Sequence, residues 1–453
     1  MAAVTSKTFA RTLLYMYDPV QTMVEKMCSR SLYELSKKDS GEVGSISRAI
    51  TTSDGAWLTR GSHSKNFSFV IRDFLTGGYL YVLHLSQRGR DKVCRVPLYD
   101  GTSKSAEGYA ASKGFHYLKA RGVHVEVNWQ DKDSTSKVSF REAYPDEDSS
   151  KIMICGGHAA RAHTNLLQKY ASQKKVTKAF ADNHKVAFPE LFELKCQCLG
   201  KKHRNKPSCG CLTEAFIRYS RINFFSALVD ADTHKDPEVF RNNLRALALH
   251  HVKDEHVWIE DGELHHCPFH SFEVCGCGKC SDEDLSRCKQ RKKYSSSMVL
   301  TCPLHLALYQ VECLRRADEC HLYIHPELGK GHSNLPEAAH NVYIRYRSKS
   351  VQLERLHYCI STNLAVLQSA TNWASEVYGS KYYWLTELYS RLNLPVTDGM
   401  LKNVESMLAV RSKSLEDQKS ECKKKYRVRM KKARLEENEE RNRRNKHFPM
   451  AMA

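Results

Sequence analysis

The sequence predicts an α/β fold: a mixed sheet flanked by helices, interrupted by a Cys/His-rich, partly helical insertion and followed by a basic C-terminal helix. Three observations carry this expectation. Segments rich in β-branched and aromatic residues alternate with segments of helical period through the first third of the chain. Most of the 17 cysteines crowd between Cys196 and Cys320, interleaved with histidines. From about Ser412 to His447 the chain is dense in Lys, Arg and Glu, with no Gly or Pro.

Taken in order, residues 6–37 place Phe9, Leu13, Leu14, Met16, Val20, Met23, Val24 and Met27 at helical spacing, which predicts one or two helices. SISRAITTSDGAW, from Ser47, is a strand, and FSFVIRDF and YLYVLHLSQ around the LTGG turn form a hairpin. Residues 104–120 form an amphipathic helix that Arg121-Gly122 ends, and VHVEVNW is a short alternating strand. Asp133 or Ser134 can cap the helix that follows. Strand, hairpin, helix, strand, helix is the opening of a ribonuclease-H-like fold. A helical part is expected from Leu228 to His250, and two helices in LPEAAHNVYIRYR and SVQLERLHYCISTNLAVLQSATNW. The expected organisation is an N-terminal helical segment (1–43), the first part of the core (44–193), a Cys/His-rich zinc-binding insertion (194–330), the last core helices (331–400) and a basic helical tail (401–453).

A chain of 453 residues can bury a large core, so size admits an enzyme. With 70 Lys plus Arg against 51 Asp plus Glu, the formal net charge is +19, which suits a polyanionic partner such as nucleic acid or an acidic membrane surface. No apolar run is long enough for a membrane span, and acids at Asp18 and Glu25 break any signal-peptide pattern, so an intracellular, soluble protein is expected. In that setting the cysteines are metal ligands rather than disulfides.

Asp54 closes the first strand in TTSDGAWLTRG, and Asp131 directly follows VHVEVNW. Strand ends hold carboxylates at fixed separations, as two-metal nucleases require; an Asp there is also a common turn or cap residue. Four motifs, in order, resemble those of Mutator-like (MULE-type) DNA transposases: the Asp-Gly before Trp and Arg-Gly at Asp54, the Asp-x-Asp-Ser of VNWQDKDSTS, the Cys-x-x-His of ICGGHAARAH, and the Asn-x-x-Glu of HSNLPEAAHNVYIRYRSK. The resemblance runs through AFIRYSRINFFSALVDADTHKDPEVFRNNLRALALHH into the basic tail, roughly residues 45–440. It implies a metal-dependent nuclease and strand transferase in which Asp54, Asp131 and Glu337 hold Mg²⁺ or Mn²⁺, with Asp133 the alternate to Asp131. Pro336 fits the first turn of the helix that carries Glu337. The family's Gln-Asn before the third acid is replaced here by Gly-His-Ser, and the Cys/His insertion is heavier than usual. Double-stranded DNA, both element ends and target, is the implied partner, and a homo-oligomer on that DNA is compatible with it.

Cys155 and His158 stand at i, i+3 on a helix beginning near Gly156. They read either as half a zinc site, as a buried Cys beside a His, or as groups next to the DNA strand. CQCLGKKHRNKPSCGC offers Cys196, Cys198, Cys209 and Cys211 for one tetrahedral Zn²⁺. Cys267, His270, Cys275, Cys277, Cys280, Cys288, Cys302 and His305 supply one or two further structural sites, CPFH and CPLH echoing each other. The loop Lys201, Lys202, His203, Arg204, Lys206 is either a phosphate contact or a solvated surface. In the tail, KKKYRVRMKK reads as a nuclear localisation signal, a phosphate-binding arm or a self-paired helix. A second reading of the whole is a decayed or domesticated transposase copy that binds DNA without cutting, since only about forty residues precede the first strand.

Overall fold

A computed structural model describes residues 5–39, 47–58, 64–87, 98–102, 105–132, 134–146, 148–184, 189–196, 210–253, 257–260, 263–266, 300–347, 353–404, 406 and 417. Two compact units emerge, Met1–Trp373 and Ala374–Ala453.

The centre of the first unit is a five-stranded mixed sheet made by β1 (Ser47–Trp57), β2 (Asn66–Asp73), β3 (Tyr79–Ser86), β4 (Val123–Gln130) and β5 (Lys151–Ile154), in the order β3-β2-β1-β4-β5. β2 runs antiparallel to β1 and β3, whereas β4 runs parallel to both β1 and β5. The apolar runs expected as strands form these elements, and Gly77, at φ 74°, takes the left-handed turn between β2 and β3. β5 is the strand the sequence did not announce, because four residues of KIMI are too short to show a period.

Alternation on the strands sorts the two faces. Phe67, Phe69 and Ile71 join Ala110, Ala111, Phe115 and Leu118 of α2 (Ala106–Ala120) and Phe140 of α3 (Ser134–Ala143) in one buried cluster. From the other face Ser68 bonds the Tyr358 hydroxyl and His84 Nε2 lies 2.8 Å from Asn363 Oδ1. Both partners belong to α10 (Arg355–Ser369). The N-terminal segment forms a single helix, α1 (Ser6–Asp39), with Pro19 inside it. α1 packs along α10, and Tyr17, Leu356, Tyr358 and Ile360 share one cluster.

Beyond β5 lies a helical layer: α4 (Gly156–Tyr170), α5 (Lys178–His184), α6 (Glu214–His234), α7 (Pro237–Lys253) and α8 (Pro303–Asp318). The helical part expected over Leu228 to His250 is two helices. Lys235 adopts φ 54°, and Pro237 cannot donate a backbone bond, so the chain turns there and restarts. Phe224, Leu228, Phe240, Leu244 and Tyr323 bury the resulting α6–α7 face against Ile154 and Ala160. Two short hairpins, β6 (Val257–Glu260) with β7 (Glu263–His266) and β8 (Ile324–His325) with β9 (Gly329–Lys330), precede α9 (Asn334–Tyr346).

The second unit contains most of α11 (Thr371–Tyr378) and all of α12 (Tyr383–Arg391), with Tyr378 stacked on Tyr383 at 3.8 Å and Glu387 paired to Arg391 at 2.6 Å. The basic stretch Ser412–His447 falls, apart from Asp417, outside the described residues. No helix among the described residues is long and apolar enough to cross a membrane.

Candidate functional site

Strand register brings the acidic residues together. β1 and β4 are parallel with Thr52 opposite Trp129, so Asp54 and Asp131, each two residues further on, emerge at the same end and on the same face. Asp54 lies within β1 rather than at its end. Its neighbour Gly55 faces the other side, where an added Cβ would come within 2.4 Å of the Phe67 ring; the close strand–ring packing therefore calls for glycine after the aspartate. β5 ends beside β4, and Cys155 N–H donates to the Gln130 carbonyl at 3.0 Å, which places Cys155 next to Asp131.

The third acid arrives from more than two hundred residues away. Thr52 Oγ1 donates to the His332 carbonyl at 3.4 Å, and Gly156 N–H reaches the Gly331 carbonyl at 3.5 Å. Gly331 lies flat on the buried Trp129 ring, where a Cβ would come within 2.0 Å of it. Arg72, buried at the end of β2, donates to the Gly77 carbonyl and, at 2.9 Å, to the Leu335 carbonyl, tying the hairpin turn to the start of α9. Glu337 then stands in the first turn of α9, where the helix dipole favours a carboxylate. Pro336 occupies the same turn, as the sequence reading expected.

Two imidazoles join the carboxylates. His158 Nδ1 lies 2.6 Å from Asp131 Oδ1, and its Nε2 lies 3.4 Å from Glu337 Oε1. Ser333 Oγ sits 3.3 Å from His158 Nδ1 and donates to Glu337 Oε1 at 3.2 Å, while Arg161 approaches the same oxygen at 3.8 Å. One turn along α9 from Glu337, His340 Nδ1 lies 3.2 Å from Asp54 Oδ2. Beneath the acids, Asn128 accepts from Thr51 and donates to Ser53 and Gln130, a buried polar network that ties β1 to β4.

The electrostatics follow from this crowding. Burial raises the Asp131 pKa, the His158 hydrogen bond opposes that rise, and the charges of Asp54 and Glu337 add to it. Burial disfavours the His158 cation, but Asp131 and Cys155 outweigh it and hold the ring at about 10. Burial pushes the Cys155 thiol up, while hydrogen bonds with His158 and Ser333 bring it down to about 7. Asp131, Cys155, His158 and Glu337 thus form one cluster, and Asp54, paired with His340, acts on it through its charge. Asp133, the alternate to Asp131, lies outside the described residues.

A second site lies at the far end of the helical layer. Cys196, Cys211, Cys302 and His305 are all buried, and one ligand atom from each lies within 4.8 Å of the others. This Cys₃His set could hold a metal such as zinc, whose tetrahedral preference it suits. Gly210, at φ 63°, accepts from Thr301 and Cys302 N–H at 3.0 and 2.9 Å, bringing the two segments together. Cys302 is the N-cap of α8 and His305 lies in its first turn. Among the described residues the set joins Cys196 and Cys211, one from each Cys-x-Cys pair, to the Cys302 and His305 of CPLH. Cys198, Cys209, Cys267, His270, Cys275, Cys277, Cys280, Cys288 and the loop Lys201–Lys206 lie outside the described residues. Cys155 and His158 take no part in this cluster.

Sequence reasoning did not single out His340, Ser333 or the ionic network of α8. His340 alone left a signal, at i+3 from Glu337 on the same helix. Comparison with protein-family models, with curated proteins and with solved structures finds no match to this chain.

Proposed function

We propose that this chain is the catalytic part of a Mutator-like DDE transposase, cutting DNA at element ends and joining the freed 3′-hydroxyl to target DNA. The observation that carries the reading is the placement of Asp54, Asp131 and Glu337, from three remote segments, at one end of the sheet, where His158 meets Asp131 and Glu337, His340 meets Asp54, and Asp131 feels the charge of both other acids. The sheet order β3-β2-β1-β4-β5, with β2 alone antiparallel to its neighbours, supports a ribonuclease-H-like core.

The donor set fits Mg²⁺ or Mn²⁺, since carboxylate oxygens are the ligands these hard ions prefer. Burial raises the Asp131 pKa and the charges of Asp54 and Glu337 add to it, while the protonated His158 is the cation that faces Asp131 and Glu337 in this structure. Asp54, Asp131 and Glu337 would hold the ions. When bound, they would supply activation of the attacking oxygen and neutralise charge building on phosphorus. The protein's own part is placement: the Asn128 network fixes the two strand acids, Arg72 and Gly331 seat α9, and Ser333 with His158 orients Glu337. The Cys₃His cluster is assigned a structural Zn²⁺, and double-stranded DNA the role of substrate in the nucleus, in keeping with the +19 charge.

The test is a nicking and strand-transfer assay with Mg²⁺ or Mn²⁺ on DNA carrying candidate element ends, comparing the natural chain with Asp54→Ala and Glu337→Ala. Cutting that needs the metal and is lost by at least a thousandfold in both variants is expected, as for removal of groups that act as a unit. Equal DNA binding by all three proteins with cutting by none would favour a domesticated DNA-binding copy instead.

A further inference from the structure

The two sites lie at opposite ends of one helix. α8 starts at the Cys₃His cluster, where Cys302 stands at its N-cap position and His305 lies in its first turn. Sixteen residues at about 1.5 Å each carry it roughly 24 Å. It ends at Glu319, whose two carboxylate oxygens accept from Lys132 Nζ at 2.9 and 3.0 Å. Lys132 is the residue after Asp131, just beyond the last residue of β4.

Glu319 is itself fixed before it meets Lys132. Arg315 donates to it at 3.0 Å, Arg316 approaches at 3.5 Å, and the Tyr323 hydroxyl bonds the same carboxylate. Midway along α8, the fully buried Glu312 accepts from Arg316 at 2.8 Å and from Arg315 at 2.6 Å, and lies 3.3 Å from His163. His163 belongs to α4, the helix whose N-cap and first turn carry Cys155 and His158. One rigid helix therefore touches both the loop that carries Asp131 and the helix that carries its imidazole partner.

We propose that Lys132 and Glu319 are a positioning pair through which the metal-capped helix α8 holds Asp131 in place, so that filling the Cys₃His cluster orders the acidic site. The geometry stands by itself; its consequence for divalent-ion binding rests on the function proposed above. The pair is partly exposed, Lys132 at 47% and Glu319 at 24%, so its contribution is a bias of the loop rather than of the whole fold.

The experiment uses the full chain, natural and as Glu319→Gln, Lys132→Ala and Cys302→Ser. It measures zinc content, amide hydrogen exchange over residues 128–136 and 156–163, and Mn²⁺ affinity. Glu319→Gln and Lys132→Ala are expected to keep their zinc and global stability, while amides at 131–136 exchange about fivefold faster and Mn²⁺ binds about fivefold more weakly. Cys302→Ser, or chelation of the natural chain, should accelerate the same amides. Unchanged exchange at 131–136 in both pair variants overturns the proposal, as does unchanged exchange there in zinc-depleted protein that remains folded. If zinc removal unfolds the chain, the pair variants decide. Absence of acid-dependent Mn²⁺ binding in the natural chain would count against the proposed function alone, leaving the exchange data to judge the positioning role.

Discussion

Single residues carry much of the site, and the sequence disclosed them unevenly. Asp54, Asp131 and Glu337 were legible because each sits in a short motif at a strand or helix boundary, where residue type and local structure speak together. His340 and Ser333 were not, since a lone His or Ser on a helix has no pattern until the helix is docked. Gly331 is another such case: in the sequence it is one glycine among 22, while in the structure it is the surface on which Trp129 lies. Gly331→Ala is expected to cost about 1–3 kcal/mol, because the fully buried indole has no room to retreat; urea denaturation measures it. Gly157, with only its neighbour's sulfur at 3.7 Å from a built Cβ, is the control that should tolerate alanine better. His84 makes a pH prediction. Burial, reinforced by the Arg347 charge and opposed by the Asn363 hydrogen bond, lowers its pKa from 6.5 to about 4. The folded chain therefore binds fewer protons than the unfolded chain between those values. Its contribution is complete above pH 6.5 and is lost as pH falls toward 4, by about 3 kcal/mol at most. Stability curves of the natural chain and His84→Gln should diverge least at pH 4 and most at pH 7; parallel curves would refute this role.

Elements show why the fold was more legible than the Cys₃His cluster. β1 to β4 and α2 to α4 appear where period and turn chemistry put them, because each is a local pattern with one buried face. β5 was missed for its length, and α6 and α7 were merged because the break depends on one left-handed residue, Lys235, before a Pro. The cysteine partition could not be read at all from spacing. Which sulfurs meet is set by α8 docking Cys302 and His305 against Cys196 and Cys211, a tertiary event. α8 also buries two charged side chains, Glu312 and Arg316. Burial disfavours the Glu312 carboxylate, yet His163 and Arg316 hold its pKa down to about 2. Glu312→Gln leaves a guanidinium without its partner in the core and is expected to destabilise by about 3–5 kcal/mol, read by thermal unfolding. Ser replacement of Cys196, Cys211 or Cys302 should each lower zinc content by one ion per chain, measured by elemental analysis of the purified protein; an unchanged content would show that the cluster binds none. If zinc fills the set, its binding energy, on the order of 10 kcal/mol, would add to the burial of the surrounding cluster of Leu212, Phe216, Leu304 and Leu308.

At the scale of the whole molecule, the proposed function asks the +19 charge and the acids at one end of the sheet to serve opposite needs. A basic surface draws a polyanion, and an acidic centre draws the cations that let a phosphodiester approach it. Duplex DNA binding should therefore weaken steeply with salt, with log affinity linear in log salt concentration, in the natural chain and in acid-site variants alike. Charge is a bulk property that composition reports directly, whereas the placement of the acids at one end of the sheet exists only once β1, β4 and α9 are assembled. The most direct test of the central claim is Mn²⁺ binding followed by electron paramagnetic resonance on the natural chain, Asp54→Asn and Glu337→Gln. We expect bound Mn²⁺ in the natural chain and at least tenfold weaker binding in each variant, with zinc content unchanged. Mn²⁺ affinity that is the same in all three proteins would contradict the assignment of Asp54, Asp131 and Glu337 as a metal-holding site.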